Sequence, residues 1–320
     1  MLLLTGAAGF IGFHVARRLL QDGADVFAVD CVNDYYTPVL KRDRLKELAA
    51  FPRFHFTEGD IAQEGVLERA LPRADVTHVV HLAAQAGVRH SIEAPFDYER
   101  ANVAGHLRVL EYARGAPRLE HLTYASSSSV YGDRRDGPFR EDDRCDTPQS
   151  LYAATKRACE LMSESYARLY GLAQTGLRFF TVYGPWGRPD MAYFSFTDRI
   201  LAGQTLTLFG NGALKRDFTF IDDVVDALSR IIVAPPKGAP PHALYNIGNS
   251  RPSTVLDLVR EIERAAGMQA RTEMAPEQPG DVTVTYADHT RASQQFGFAP
   301  RTQLRDGIAE FVAWRRAWRP

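Results

Sequence analysis

The chain has 320 residues, of which 45% are hydrophobic and 24% are charged, as in an ordinary folded protein. This composition excludes a disordered chain, a collagen-like chain and a coiled coil. The formal net charge is -1, so charge indicates neither nucleic-acid binding nor an anionic membrane. The three cysteines are scattered and form no CxxC pair, which predicts a reducing cytoplasm without disulfides or a zinc site. The apolar start is too short for a signal peptide, and no segment approaches the length of a membrane span.

Strands and helices alternate along the first 180 residues. The predicted strands, mostly apolar runs, are residues 1–5, 25–30, 53–56, 77–81, 121–125 and 174–179. The predicted helices are residues 10–20, 39–50, 64–70, 96–114 and 151–170. Apolar strands separated by helices are typical of a parallel sheet covered on both faces. Because crossovers are right-handed, we predict an α/β fold with a doubly wound parallel sheet of the Rossmann type.

The alternation ends after Phe180, where a segment rich in Gly and Pro (residues 184–189) follows. Helices are predicted at residues 194–202 and 221–233, and a strand at residues 243–247. We therefore predict two domains. The first comprises residues 1–180, with segments near 217–249 returning to it, and binds a dinucleotide. The second is a smaller C-terminal substrate domain, residues 181–320.

A glycine-rich turn joins the first strand to the first helix. It reads Gly6-Ala7-Ala8-Gly9-Phe10-Ile11-Gly12, and the next strand ends at Asp30. Gly6 permits the tight turn, Gly9 lets the backbone approach a pyrophosphate, and Gly12 allows helix and strand to pack closely. The free N–H groups at the helix start would carry the phosphate charge. Asp30 is placed to bond both ribose hydroxyls and would repel a 2′-phosphate. The turn therefore predicts a dinucleotide, and Asp30 predicts NAD rather than NADP.

A second motif carries acid–base chemistry. Tyr152 and Lys156 are four residues apart on one helix face, and a nearby cation favours the phenolate, so Tyr152 is a candidate base. Lys156 could also hold the nicotinamide ribose. This pair alone is weak, but four serines, residues 126–129, follow the fifth strand at the edge where such sheets bind ligands. The alternative for the serines is a polar loop with helix caps. Hydroxyl, phenolate and nicotinamide together predict hydride transfer at a carbinol carbon.

The GxxGxxG spacing resembles that of the short-chain dehydrogenase/reductase superfamily, in its extended branch that modifies nucleotide sugars. The resemblance implies that Asp60 meets the adenine amino group. It implies that Ser127 shares the substrate proton with Tyr152. It also adds cofactor contacts at Phe10, Ile11, Ile61, Leu82, Ala83, Ala84 and Asn102.

Longer blocks resemble the UDP-glucuronic acid 4-epimerases. These blocks are residues 33–36, 86–89, 178–191, 215–223 and 278–282, and the likeness runs from Met1 past residue 290. The resemblance implies NAD-dependent 4-epimerisation of UDP-glucuronic acid to UDP-galacturonic acid through a transient 4-keto intermediate. Tyr152 would be the base, with NAD as hydride acceptor and donor. It also implies a homodimer formed through helices 96–114 and 151–170.

A 4-keto uronic acid is a β-keto acid, which loses CO2 when its carboxylate bond aligns with the ketone π system. An epimerase must hold that carboxylate out of alignment, and a bidentate arginine with short hydroxyls suits this task. The candidates are Arg188, Thr181, Ser128 and Ser129. The substrate contacts implied elsewhere are Arg216 at the diphosphate, Arg89, and Gln278 and Asp281 on the uridine side. For any one arginine among 33, a solvated surface position is the alternative.

Other functions remain open at this stage. UDP-glucuronate decarboxylases and 4,6-dehydratases carry an acidic residue just after the catalytic hydroxyl, where this chain has Ser128 and Ser129. A UDP-glucose 4-epimerase acts on a sugar without a carboxylate, so the Pro-Trp-Gly-Arg segment, residues 185–188, would have no purpose in it. A silent NAD-binding sensor is disfavoured by the intact set of Ser127, Tyr152 and Lys156. No metal or nucleic-acid partner is predicted.

Overall fold

The computed structural model describes residues 1–134, 136–276 and 284–319. Its strands are β1 (Leu2–Thr5), β2 (Val26–Asp30), β3 (Phe54–Glu58), β4 (His78–His81), β5 (His121–Ser127), β6 (Gln174–Phe179), β7 (Thr181–Tyr183), β8 (Thr205–Phe209), β9 (Lys215–Phe220), β10 (His242–Ile247), β11 (Pro252–Thr254), β12 (Arg271–Ala275) and β13 (Val284–Thr285). Its helices are α1 (Phe10–Gln21), α2 (Pro38–Ala49), α3 (Val66–Ala70), α4 (His90–Glu93), α5 (Pro95–Tyr98), α6 (Gly105–Arg114), α7 (Leu151–Tyr170), α8 (Ala192–Leu201), α9 (Ile221–Ile232), α10 (Val255–Ala266), α11 (Thr290–Phe296) and α12 (Leu304–Ala317).

A seven-stranded sheet has the order β10-β6-β5-β4-β1-β2-β3. The pairs β1–β2, β2–β3, β1–β4 and β4–β5 are parallel. Every residue of β1 and β6 is buried, as expected for strands covered on both faces. The strand order reverses between β1 and β4, and such switch points bind ligands in this fold. The predicted doubly wound sheet is confirmed.

Most elements that border the site follow the predictions, although β3 extends to Glu58, two residues past its predicted end. Strand β6 and helix α7 have the predicted bounds. The prediction of one helix over residues 96–114 was wrong, because a π-helical turn, Glu99–Ala104, separates α5 from α6. The predicted end of β5 at Ala125 was also wrong. Strand β5 continues to Ser127, and a 3-10 turn covers Ser128–Tyr131.

Two compact units divide the chain. Unit 1 contains Met1–Gly132, Arg144–Arg178 and Val225–Tyr245, which include β1 to β5 and helices α1 to α7. Unit 2 contains Asp133–Asp143, Phe179–Val224 and Asn246–Pro320. In unit 2, β9 lies between β11 and β13 and also pairs with β7, while β8 pairs with β12. Within the ranges described, no helix is both long enough and apolar enough to span a membrane.

Candidate active site

The glycine turn has a backbone that only glycine fits at its first and third positions. Gly6 has φ +83°, and a Cβ there would lie 2.6 Å from the backbone nitrogen of Ala83. A Cβ on Gly12 would lie 2.0 Å from the carbonyl oxygen of Gly6. Gly9 is the N-cap of α1 and offers no side chain, so the first N–H groups of α1, at Phe10 and Ile11, keep their bonding capacity. This turn fits a pyrophosphate.

Asp30 ends β2 beside this turn. Its Oδ2 accepts the Ala8 N–H at 3.0 Å and its Oδ1 accepts the Val32 N–H at 2.8 Å. Burial raises the pKa of Asp30, whereas these N–H groups and the charges of Lys41 and Arg44 act in the opposite direction. The carboxylate is therefore fixed in place next to the glycine turn, as the prediction for ribose binding requires.

The sequence analysis missed two cations that surround this carboxylate. Arg44 is fully buried and donates to the Ala8 carbonyl oxygen and to the Tyr36 hydroxyl, both at 2.7 Å. Lys41 donates to the Asn33 carbonyl oxygen at 2.6 Å. Both lie on α2, to which the sequence analysis assigned no function. The signal available was the Asn33–Tyr36 block, whose polar groups these cations bind.

Other predicted cofactor residues lie around the ends of β3 and β4. Asp60 pairs with Arg100 and accepts the Ala62 N–H at 2.9 Å. The predicted contacts Leu82, Ala83 and Ala84 are half-buried and follow β4. The Leu82 N–H donates to the Thr5 carbonyl oxygen at 3.1 Å, which ties this segment to the end of β1 at the switch point.

Two of the predicted cofactor residues have buried side chains that contact protein. The Ile61 side chain is 5% exposed and belongs to the hydrophobic core of unit 1. Asn102 lies in the π-helical turn, where its Oδ1 accepts the Gln85 N–H at 2.8 Å and its Nδ2 donates to the Gln85 carbonyl oxygen at 3.0 Å. Its Nδ2 also donates to Thr155 at 3.0 Å. Asn102 therefore links α7 to the segment that follows β4.

Helix α7 carries Tyr152 and Lys156, and Lys156 contacts strand β5. The Ser150 side chain caps the helix by accepting the Ala153 N–H at 3.1 Å, which places Tyr152 in the first turn. The buried Lys156 donates one N–H of its ammonium to the Ala125 carbonyl oxygen at 2.9 Å. Two N–H donors of that ammonium remain for a ligand.

The sequence analysis did not single out Tyr98, which supports this pair. Its ring meets the half-buried Tyr152 ring edge-to-face, with centroids 6.0 Å apart. Tyr98 is fully buried, and its hydroxyl donates to the Ala86 carbonyl oxygen at 2.8 Å. A buried aromatic ring at this position restricts the Tyr152 phenol to few orientations.

The four serines are divided between strand and turn. Ser126 and Ser127 end β5, and Ser128 and Ser129 begin the 3-10 turn. The Ser127 Oγ accepts the Ser129 N–H at 3.2 Å and donates to the Ser129 Oγ at 3.1 Å. Ser127 is 8% exposed, while Ser128 and Ser129 are half-buried. The hydroxyl predicted to be catalytic is thus part of a short ordered network.

The predicted carboxylate-binding residues Thr181 and Arg188 belong to unit 2, where Thr181 begins β7 and is half-buried. Arg188 makes a two-point contact with Asp190, with Nε 3.0 Å from Oδ1 and Nη2 bonded to Oδ2. The two side chains are 22% and 27% exposed. Asp190 was not predicted to contribute, and its carboxylate now occupies the face of Arg188 that suits a bidentate ligand.

The segment that carries Arg188 is held by aromatic packing within unit 2. Trp186 lies 5.3 Å from Trp314, centroid to centroid, and Trp314 stacks on Trp318. A Cβ on Gly187 would lie 1.9 Å from the Tyr193 hydroxyl oxygen, so only glycine lets the segment pack this closely. The position of Arg188 is therefore restricted by its neighbours in the chain.

The remaining predicted substrate residues have different surroundings. Arg216 lies on β9 and donates to the Lys215 carbonyl oxygen at 2.9 Å. The adjacent Asp217 is fully buried and accepts N–H groups from three residues, Asn249, Ser250 and Ala287. Arg89 is exposed at the start of α4. Gln278 and Asp281 lie outside the described residues.

The fold and the glycine turn at its switch point define a Rossmann-type enzyme that uses a dinucleotide. The profile of the NAD dependent epimerase/dehydratase family matches residues 2–248. The chain belongs to this family.

Three comparisons report more specific similarity. UDP-glucuronate 4-epimerase 2 of Arabidopsis thaliana is 44% identical over 325 residues, which cover 98% of this chain and 75% of that protein. The structure of UDP-glucuronic acid 4-epimerase from Bacillus cereus in complex with UDP-glucuronic acid and NAD is 32% identical, with a TM-score of 0.91 over 99% of both chains. The structure of UDP-glucose 4-epimerase from Thermotoga maritima with UDP-glucose is 30% identical, with a TM-score of 0.89 over 99% of this chain and 98% of that one.

Proposed function

We propose that this chain is an NAD-dependent UDP-glucuronate 4-epimerase, an isomerase that interconverts UDP-glucuronic acid and UDP-galacturonic acid. The observation that carries the proposal is that α7, which carries Tyr152 and Lys156, is joined through Lys156 to β5, the strand that ends at Ser127. The choice of a uronic acid is supported by 44% identity to a UDP-glucuronate 4-epimerase over nearly the whole chain.

The chain's own residues perform the proton chemistry. The glycine turn and Asp30 would hold NAD, which would supply a hydride acceptor and donor for C4 of the sugar. Tyr152 takes the proton of the C4 hydroxyl and later gives it back, while Ser127 shares that proton by hydrogen bonding. The Lys156 ammonium would donate to the nicotinamide ribose. The sugar must rotate between the two hydride transfers.

The carboxylate at C5 exposes the 4-keto intermediate to decarboxylation, because this intermediate is a β-keto acid. We propose that Arg188 binds the carboxylate at two points and that Thr181, Ser128 and Ser129 add hydroxyl donors, so that the bond to CO2 stays out of line with the ketone. Support comes from the two-point contact that Arg188 already makes with the carboxylate of Asp190. Ser128 and Ser129 also leave no acid beside Ser127 to drive decarboxylation or elimination.

The nucleotide would be bound by the other predicted residues. We propose Arg216 as the partner of the diphosphate, because Asp217 anchors the adjacent backbone. Arg89 is proposed as a further substrate contact, with Gln278 and Asp281 on the uridine side. Gly6, Gly9, Gly12 and Asp30 are proposed to bind NAD, and so are Phe10, Ile11, Asp60, Ile61, Leu82, Ala83, Ala84 and Asn102.

A homodimer through α5, α6 and α7 is also part of this proposal. Exposed apolar side chains on these helices support it: Phe96 is 83% exposed, Leu161 55% and Leu169 69%. Leu161→Glu should convert a dimer to a monomer in analytical ultracentrifugation, because a buried charge opposes association. Val233→Glu, at an exposed apolar residue of another surface, is the control and should leave the mass unchanged. A monomeric wild-type protein would contradict the proposal.

A cytoplasmic setting is likewise proposed rather than established. Its support is that all three cysteines, which lie in the described ranges, are free thiols.

Overnight incubation with UDP-glucuronic acid and NAD, followed by chromatography, mass spectrometry and NMR of the products, tests the function. A product of the same mass with inverted C4 is expected. Loss of CO2 to give a pentose would instead indicate a decarboxylase. With no product, UDP-glucose is the next substrate, and inactivity on both together with NAD binding would indicate a silent sensor.

A further inference from the structure

Helix α7 carries a third polar residue in line with Tyr152 and Lys156. Glu160 follows Lys156 by four residues, so the three side chains form one stripe along the helix. Glu160 is only 1% exposed, and the mechanism above assigns it no role. Its Oε1 accepts a hydrogen bond from the Ser126 hydroxyl at 2.6 Å. Glu160 therefore binds the residue directly before Ser127.

Arg178, on the strand β6 next to β5, completes a buried ion pair with Glu160. Arg178 is 2% exposed, and its Nε and Nη2 lie 2.8 and 2.9 Å from the two carboxylate oxygens. Burial raises the pKa of Glu160, but the hydrogen bonds and charge of Arg178, together with the hydrogen bonds of Ser126 and Arg157, outweigh burial and lower it. The Arg178 guanidinium also lies over the ring of Tyr131, 4.8 Å from its centroid. The pair is thus ionised and contacts two points of the neighbouring segment.

Those two points are the ends of the segment that carries the site hydroxyls. Ser126 begins it and is bonded to Glu160, and Tyr131 ends it and is covered by Arg178. Between them lie Ser127 and the rest of the 3-10 turn. A buried ion pair stabilises a fold no better than apolar residues of similar volume, so its presence here favours a geometric role.

We propose that Glu160 and Arg178 are positioning residues that fix residues 126–131 so that the Ser127 hydroxyl stays in register with Tyr152. This inference rests on the proposed function only for the role of Ser127. If the segment loosens, the Ser127 hydroxyl shares the substrate proton less effectively, while the nucleotide contacts are untouched. Loss of the pair should therefore lower kcat and leave KM nearly unchanged.

The first test removes one contact and keeps the ion pair. Ser126→Ala deletes the hydroxyl that binds Glu160 but leaves Arg178 and Arg157 on the carboxylate. The loss of one charge-assisted hydrogen bond to the segment should reduce kcat about tenfold. KM for UDP-glucuronic acid should change less than about twofold.

The second test separates positioning from stability. The double variant Glu160→Gln/Arg178→Met removes both charges together, which leaves no unpaired buried charge, so the thermal unfolding temperature should stay near that of the wild type. Turnover should still fall by about tenfold, because Ser126 then bonds a neutral amide oxygen in place of a carboxylate and Tyr131 loses the cation over its ring. The control, Glu261→Gln/Arg264→Met, makes the same exchange at an exposed ion pair of α10 and should leave turnover unchanged.

Amide hydrogen exchange gives a readout that needs no substrate. Residues 126–131 should exchange faster in Ser126→Ala and in the double variant, but not in the control. Unchanged turnover and unchanged exchange in a folded double variant would overturn the proposal. So would a fall in turnover matched by loss of thermal stability with no local change in exchange. Faster exchange in a protein whose wild type does not convert UDP-glucuronic acid would support the positioning role and reject the proposed substrate.

Discussion

The interiors of the two units differ in kind. Eight of the nine histidines belong to unit 1, and all three tryptophans belong to unit 2. Unit 1 buries charged and polar side chains close to its reacting groups, such as Glu160, Arg178 and Lys156. Unit 2 packs aromatic rings under the segment that carries Arg188: these are Tyr193, Phe194, Phe311, Trp314 and Trp318.

This difference suggests a division of tasks. A buried polar network is costly unless every member is bonded, so it fixes atoms within narrow limits, as proton transfer requires. Aromatic packing supports a segment without dictating the state of the charge it carries, which suits binding of a carboxylate. Changes in unit 1 should therefore affect turnover, and changes around Arg188 should affect binding and by-products.

The largest effect is expected from the base. Tyr152→Phe removes the phenol and keeps the ring, so kcat should fall by about 10³-fold or more while nucleotide binding persists. Steady-state kinetics and calorimetric titration with UDP measure the two quantities. Tyr166→Phe is the matched control, because Tyr166 lies on the same helix and its hydroxyl bonds the surface Glu111. Turnover near the wild-type level in Tyr152→Phe would show that Tyr152 is not the catalytic base.

The buried histidines of unit 1 should make it sensitive to acid. Burial, assisted by the charge of Lys156, lowers the pKa of His106 to about 3, and burial lowers the pKa of His121 to about 4. The ordinary pKa of histidine is 6.5, so at any pH between the folded-state pKa and 6.5 the unfolded chain binds more protons than the folded protein. The free energy of unfolding therefore decreases as the pH falls below 6.5. Each histidine should contribute about a tenfold change in the unfolding constant per pH unit.

Urea unfolding between neutral pH and mild acid, followed by circular dichroism, measures this slope. His106→Gln keeps a hydrogen-bonding group near Ser163 but cannot be protonated, so its stability should fall less steeply with acid. Over about two pH units below 6.5, its unfolding constant should rise about a hundredfold less than that of the wild type. The exposed His55→Gln is the control. Equal slopes for wild type and His106→Gln would show that this histidine does not control acid stability.

The next effect concerns the carboxylate contact. Arg188→Ala should raise KM for UDP-glucuronic acid about 30-fold, since it deletes a charged two-point bond, and should increase the share of decarboxylated product. Arg188→Lys should lie in between, because lysine keeps the charge without the fork. Arg199→Ala, at an exposed arginine of unit 2, should behave as the wild type. If the by-product and KM are both unchanged, the carboxylate is bound elsewhere.

The smallest effect is expected at Asp190. If Arg188 binds the substrate as proposed, the Asp190 carboxylate competes with that of the substrate; both side chains are partly exposed, so the Arg188–Asp190 pair contributes little energy. Asp190→Asn should lower KM for UDP-glucuronic acid about threefold and leave that for UDP-glucose unchanged. A higher KM would instead mean that Asp190 orients Arg188 for the substrate.

Local patterns predicted much of unit 1. The glycine turn, the bounds of α7 and the order of strands and helices follow from short-range periodicity and capping, which the sequence displays directly. The prediction of Tyr152 and Lys156 as a pair also rests on local spacing, because both lie on one helix, whereas the role of Ser127 was implied by the family resemblance.

The remaining features depend on contacts between distant residues. The π-helical turn accommodates Asn102, whose partners Gln85 and Thr155 are 17 and 53 residues away. The pairing of Glu160 with Arg178 requires the adjacency of α7 and β6. Hydrophobic periodicity predicts neither the π-helical turn nor the ion pair, since neither changes the apolar pattern of the element in which it lies. The contact between Arg188 and Asp190 is short-range, but only side-chain geometry reveals it.

The cluster of Trp186, Trp314 and Trp318 gives the protein an intrinsic fluorescent probe. Because these are all the tryptophans of the chain, its indole emission comes from this one cluster, and Trp186 lies two residues before Arg188. Exchange of the Asp190 carboxylate for another anion at Arg188 would alter the field at these rings. A label-free titration could therefore follow ligand arrival at this segment apart from the chemistry in unit 1.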